Sequence, residues 1–271
     1  MQESYLSLSD CTLYVRHRFD GPGRPTLLLI HGLGESGLCF EDTFEEPALD
    51  GFNLIVPDLA GYGRSSSSAV YSFDAQLARI GRLLSHFDIG KLHVLGHSLG
   101  SDLAILACQT VAARAATLVI LEGHLTYSGV FIANQAAAAH ERGEFRQWWH
   151  SGFRESMVYE QWGADSLPIR GYYASLRFAR PEAVLENALE LVSRREFGDI
   201  YCGLPMPKMF CYGTKSVTQP ALDYLVEHQL ESQSFEGAHW FMLDQPAIFW
   251  KFLARFLKTA GGASPLLPPG S

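Results

Sequence analysis

The stretch KLHVLGHSLGSDLAILACQTV, residues 91–111, decides the fold. Lys91–Leu95 reads as a strand buried on both faces, and Ser101–Val111 reads as a helix. Between them stands Gly96-His97-Ser98-Leu99-Gly100, a G-x-S-x-G turn with strand before and helix after. The two glycines let the chain turn sharply where flanking side chains have no room. Such a turn lifts the Ser98 hydroxyl above the sheet and leaves the Leu99 backbone N–H facing a bound carbonyl oxygen. The helix N-terminus adds partial positive charge where an oxyanion would form. Ser98 is therefore the expected nucleophile.

Outward from this turn, similar strand runs recur at Thr26–Ile30, Asn53–Val56, Thr117–Leu121 and Lys208–Tyr212. Helical periodicity lies between them. In Asp74–Phe87, the residues Leu77, Ile80, Leu83, Leu84 and Phe87 fall on one face. Strands alternating with helices predict an α/β class, doubly wound around a mostly parallel sheet. Alternation in Tyr5–Leu8 and Leu13–Val15, around Ser9-Asp10, predicts an antiparallel hairpin in front of it. From Leu125 to Pro205 the strand rhythm stops. Helical patterns rich in aromatics, Trp148 and Trp149 among them, fill the gap, so residues 126–205 read as an inserted helical subdomain. The core is then 1–125 and 206–260, with a last helix around Pro246–Leu257. The Gly/Pro-rich 261–271 reads as a flexible tail.

Composition narrows the function. The chain has 271 residues, a formal net charge of −8 and 47% hydrophobic residues, enough for one large domain with an insertion. The acidic balance argues against nucleic acid or an anionic membrane as partner. No run approaches a membrane span, and the start MQESYLSLSD lacks the features of a signal peptide. A cytoplasmic location is expected. Five widely spaced cysteines without C-x-x-C suggest neither a disulfide framework nor zinc. Ten histidines without H-E-x-x-H suggest no metal site, and nearly all of them read as solvated or core-edge residues.

Three further motifs carry a resemblance. After Thr26–Ile30 comes His31-Gly32-Leu33-Gly34. After Asn53–Val56 comes Pro57-Asp58-Leu59-Ala60-Gly61-Tyr62-Gly63-Arg64-Ser65. A short strand at Ser232–Phe235 precedes Gly237-Ala238-His239-Trp240. With Gly96–Gly100, these blocks resemble the H-G-x-G loop, the D-x-x-G-x-G-x-S loop, the nucleophile turn and the catalytic-histidine loop of the α/β-hydrolase superfamily. The likeness covers nearly the whole chain.

The resemblance implies an eight-stranded α/β-hydrolase sheet with a helical cap at about 126–205. It implies His239 as general base and the Leu33 backbone N–H as second oxyanion donor beside that of Leu99. Many relatives carry an aspartate three residues after the glycine ending the seventh strand; here Gly213 is followed by Thr214, Lys215 and Ser216. A serine cannot balance an imidazolium. Some relatives take the acid from the tip of the sixth strand instead, where this chain has Glu122, giving the order Ser98, Glu122, His239. Asp199 and Asp223 are weaker choices, since neither follows a strand tip. The expected chemistry is cofactor-free hydrolysis of a small-molecule carboxylic ester with a moderately large apolar acyl or alcohol part, or of an aromatic lactone, through an acyl-enzyme, with Trp148 and Trp149 as walls of an apolar pocket. C–C bond hydrolysis, thioester hydrolysis, perhydrolysis and cyanohydrin cleavage use the same scaffold, and so would a slow-turnover ligand receptor. A serine at the turn argues against haloalkane dehalogenation, which needs an aspartate there.

Overall fold

Every residue of Thr26–Ile30, Asn53–Pro57 and Leu92–His97 is buried, so these strands are covered on both faces as their unbroken runs require. The computed structural model describes residues 1–164 and 166–260. Its eight strands are β1 (Gln2–Ser7), β2 (Thr12–Arg18), β3 (Thr26–Ile30), β4 (Asn53–Pro57), β5 (Leu92–His97), β6 (Ala115–Leu121), β7 (Lys208–Gly213) and β8 (Ser232–Phe235). They form one sheet in the order β1-β2-β4-β3-β5-β6-β7-β8. Only β2 runs against its neighbours, pairing antiparallel with β1 and β4; the other pairings are parallel. The predicted hairpin is β1–β2, with Ser7 opposite Thr12.

Helix α1 (Phe73–His86) starts where Ser72 accepts the Ala75 N–H, and it buries Ile80, Leu83 and Leu84 on the predicted face. Helix α2 (Leu99–Thr110) begins directly after Ser98, two residues earlier than expected, and packs on β5 and β6. The last helix, Pro246–Ala260, runs to the end of the described residues, and the expected tail 261–271 lies outside them. Among the described residues no helix is long and apolar enough to cross a membrane.

Between β6 and β7 the chain is helical. α3 (Phe131–Glu141) leads to Trp148–Trp162, which winds as a π-helix, and then come Leu167–Leu176, Pro181–Ser193 and Phe197–Gly203. These helices are bolted to the core through polar groups that are buried or partly buried. The Tyr172 hydroxyl accepts the Ser36 N–H at 3.0 Å. Tyr62 donates to Asn187 at 2.7 Å, and Glu190 accepts the first amide of α1, that of Phe73, at 2.8 Å.

The D-x-x-G-x-G-x-S motif is a brace. Asp58 accepts from Arg16 (2.9 Å), the Gly37 N–H (2.7 Å) and the Arg64 N–H (2.7 Å), joining β2, β4 and the loop after β3. Ser65 closes it, donating to the Asp58 carbonyl while accepting the Tyr14 N–H. His31 works in the same layer. Its Nε2 accepts the Leu59 N–H, which leaves Nδ1 to donate to the Gly32 carbonyl, and burial depresses its pKa.

Candidate active site

Ser98 has φ 51° and ψ −123°, a conformation that side-chain-bearing residues rarely adopt and that costs about 1–3 kcal/mol. The surrounding packing enforces it. A Cβ on Gly96 would lie 2.0 Å from the Gly100 carbonyl oxygen, and one on Gly100 would lie 2.1 Å from that of Ile30. The Ser98 N–H donates to the Leu121 carbonyl at 2.8 Å, and Ser101 Oγ donates to the Gly96 carbonyl at 2.7 Å. The Leu99 N–H is the first of α2 and has no intrahelical acceptor. Leu33, on the loop after β3, lines the same cavity as Ser98.

The acid–base side is assembled from three strand tips. Glu122, directly after β6, also carries a positive φ, 53°. Its Oε2 lies 3.3 Å from His239 Nδ1, within hydrogen-bond reach. Its Oε1 accepts the Gly213 N–H at 2.6 Å and the Ser216 hydroxyl at 2.9 Å. Ser216, at the position where the resemblance places an aspartate, thus donates to Glu122. Burial pushes the Glu122 carboxyl up, but His239, Gly213 and Ser216 together hold it below the usual carboxylate range. Asp199 and Asp223 lie within helices Phe197–Gly203 and Gln219–Glu227, and Asp223 accepts from Gln219.

Ser98, Glu122 and His239 all line one cavity of about 430 Å³, a size typical of small-molecule sites. Its apolar walls include Phe131, Ile132, Phe153, Trp162, Leu191 and Tyr212. Trp148 and Trp149, expected there, are not among its lining residues. Trp149 is 1% exposed, with its ring so close to Gly34 that a Cβ would overlap it. Trp148 stacks on Phe153 and donates to Gln135. Trp149 thus packs the inserted helices against the loop after β3, Trp148 packs within the inserted helices, and Phe153 and Trp162 take the wall position. The cavity also receives His124, whose Nδ1 is tied to the fully buried Asp102 at 2.6 Å.

Two residues escape sequence reasoning, because a lone histidine and a lone glutamate inside glycine turns carry no periodic signal. His97 is fully buried rather than solvated or at a core edge. Its Nδ1 lies 3.0 Å from Glu35 Oε2, and its Nε2 lies 2.9 Å from the backbone oxygen of His239. Glu35 also accepts the Gly32 N–H at 2.9 Å and the Trp240 indole N–H at 2.8 Å. Burial pushes Glu35 up, yet His97, His239 and the Gly32 N–H bring it down to about 2. Burial pushes His97 down, and the Glu35 charge overrides it, leaving its pKa raised. Glu35, His97 and His239 offer ligand-type atoms within 4.8 Å of one another. Both nitrogens of His97 and both oxygens of Glu35 already have protein partners, so a metal would have to break an ion pair to enter.

A family model described as the alpha/beta hydrolase fold matches residues 25–160, half of the chain. Lipase 1 of Psychrobacter immobilis is 41% identical over 88 residues, covering 31% of this chain and 26% of its own. A 2-succinyl-6-hydroxy-2,4-cyclohexadiene-1-carboxylate synthase of Escherichia coli O157:H7 is 29% identical over 154 residues, covering 55% of this chain and 58% of its own. The matched stretches thus span less than two thirds of these curated relatives. A carboxylesterase structure from the thaumarchaeon Nitrososphaera gargenis superposes with a TM-score of 0.77 at 16% identity, covering 95% of this chain and 98% of its own. That likeness is one of fold.

Proposed function

The chain belongs to the α/β-hydrolase family, and on that premise we propose that it is a serine hydrolase cleaving a carboxylic ester or lactone through an acyl-enzyme on Ser98. One observation carries the reading: a serine on a strained strand-to-helix turn shares a cavity with a histidine whose Nδ1 faces a buried carboxylate. The lipase relative supports ester chemistry.

The chemistry follows from which atoms are left over. Glu122 accepts a hydrogen bond from the Nδ1–H of His239, which fixes the tautomer and leaves Nε2 as the nitrogen that accepts the Ser98 proton. Ser98 Oγ attacks the substrate carbonyl, and the N–H groups of Leu33 and Leu99 receive the oxyanion. His239 then gives its proton to the departing alkoxide. Water, deprotonated by the same nitrogen, opens the acyl-enzyme and returns the serine. Glu122 stabilises the imidazolium formed at each step. The helices of 126–205 act as a cap whose Phe153 and Trp162 cover an apolar acyl or alkoxy group.

Fluorophosphonate labelling, combined with a panel of p-nitrophenyl esters, lactones and thioesters, tests the reading. Ser98 takes the label, and Ser98→Ala loses both label and turnover while keeping its circular dichroism. A labelled Ser98→Ala protein, or thioester turnover far above ester and lactone turnover, would overturn the corresponding part.

A further inference from the structure

Three segments carry the proposed chemistry, and each touches the same buried ion pair. Glu35 lies two residues beyond Leu33, His97 directly precedes Ser98, and the base loop contributes the His239 carbonyl and the Trp240 indole. We propose that Glu35 and His97 are positioning residues, a carboxylate and a doubly protonated imidazolium that lock oxyanion loop, nucleophile and base loop together. The proposal rests on the serine-hydrolase reading above.

The protonation follows from the partners. Both atoms facing the His97 ring, a carboxylate oxygen and a backbone carbonyl oxygen, accept hydrogen bonds and have no proton to give. A neutral imidazole has one N–H, so one of these contacts would set lone pair against lone pair in a fully buried site. A doubly protonated ring satisfies both. The titratable groups around the pair are His239, Glu122, Cys39, Tyr172, His31 and Tyr62, and burial keeps the last two neutral by lowering His31 and raising Tyr62. Burial raises Cys39 and Tyr172 well above their ordinary values, so they stay neutral, while the Glu122 charge favours the same protonated His97.

His239 is thereby held at two points, its ring by Glu122 and its carbonyl by His97. Glu35 adds a third hold one residue on, through Trp240, and a fourth on the oxyanion loop, through the Gly32 N–H. A shift of about 1 Å in reacting groups can cost about 10²-fold in rate, so this scaffold has leverage on turnover without sharing in proton transfer.

The test is ¹⁵N NMR of the His97 ring with kinetics of Glu35→Gln. In wild type and in Ser98→Ala, His97 carries two ring protons from about pH 6 to pH 8, either side of an ordinary histidine pKa. In Glu35→Gln it loses one, and kcat for p-nitrophenyl acetate falls about tenfold to hundredfold while KM changes little. A singly protonated His97 in the wild type overturns the proposal and needs no variant to fold. So does a Glu35→Gln enzyme with unchanged kcat. Absence of Ser98 labelling in the wild type would instead remove the hydrolase reading, leaving the His97 proton count as a separate result.

Discussion

Glu122–His239 and Glu35–His97 are built from the same two side-chain types at nearly the same separation, 3.3 Å and 3.0 Å. In the first pair the histidine is 25% exposed, and its Nε2 has no hydrogen-bond partner among the described residues. In the second the side chains are 0% and 1% exposed, and every polar atom is spent. In the proposed mechanism the first ring takes a proton and gives it back; the second has nowhere to pass one. What separates a proton carrier from a strut is thus the fate of the second nitrogen and the access of water, rather than the presence of the acid. Burial sharpens the contrast. Removing one partner of a dry ion pair leaves an uncompensated charge, whereas a group at a cavity wall can be resolvated.

The largest expected effect breaks the wet pair. Glu122→Gln keeps the fold and lowers kcat by about 10²–10⁴, since an amide can hold the ring but cannot balance an imidazolium. Steady-state kinetics with p-nitrophenyl acetate measures this, and near-full kcat would remove Glu122 from the triad. The converse experiment addresses the dry pair. Glu35→Ala destabilises by about 3–5 kcal/mol in urea denaturation, while Glu35→Leu with His97→Leu loses less than the single change because no buried charge is left unpaired. If the double variant is the less stable one, the strut interpretation fails.

Acid and base should act on the dry pair in opposite senses. Glu35 ionises at about 2 in the fold against an ordinary 4.5, so its stabilising contribution is complete above the ordinary value and disappears as pH falls towards 2. His97 is raised above its ordinary 6.5, so its contribution is complete below that value and is lost as pH climbs through the raised one. The stability difference between wild type and Glu35→Gln/His97→Gln therefore peaks between about 4.5 and 6.5, read from denaturation midpoints across pH. A flat difference would mean that the pair is not ionised. The smallest effect belongs to Ser216→Ala. It removes one of three donors to Glu122, worth about 0.5–1.5 kcal/mol, and should lower kcat no more than about tenfold. A loss equal to that of Glu122→Gln would place Ser216 on the proton path.

Much of this was legible from residue order. The strand runs, the one-sided helix α1 and the glycine turn around Ser98 are local patterns, fixed by what neighbouring residues can bury and by where a Cβ cannot fit. Glu122 was legible as a carboxylate at a strand tip, and Ser216 as the residue in the place of the usual aspartate. The tryptophans were not. Residue type says that Trp149 will be buried but not whether Gly34 or a substrate will bury it. Glu35 and His97 lie 62 positions apart and meet a backbone carbonyl 142 positions from His97. No spacing rule reaches that far.

By itself the sequence determined an alternating α/β chain, a serine that must sit on a strained turn, and the absence of an aspartate three residues after Gly213. These follow from short-range sterics and hydrophobic periodicity, which need no knowledge of distant partners. The tertiary structure alone decided which histidine keeps a free nitrogen, which carboxylate faces it, and which pair is sealed from water. Protonation and burial depend on every group within a few ångströms, and those groups come together only when the sheet has placed its strand tips side by side.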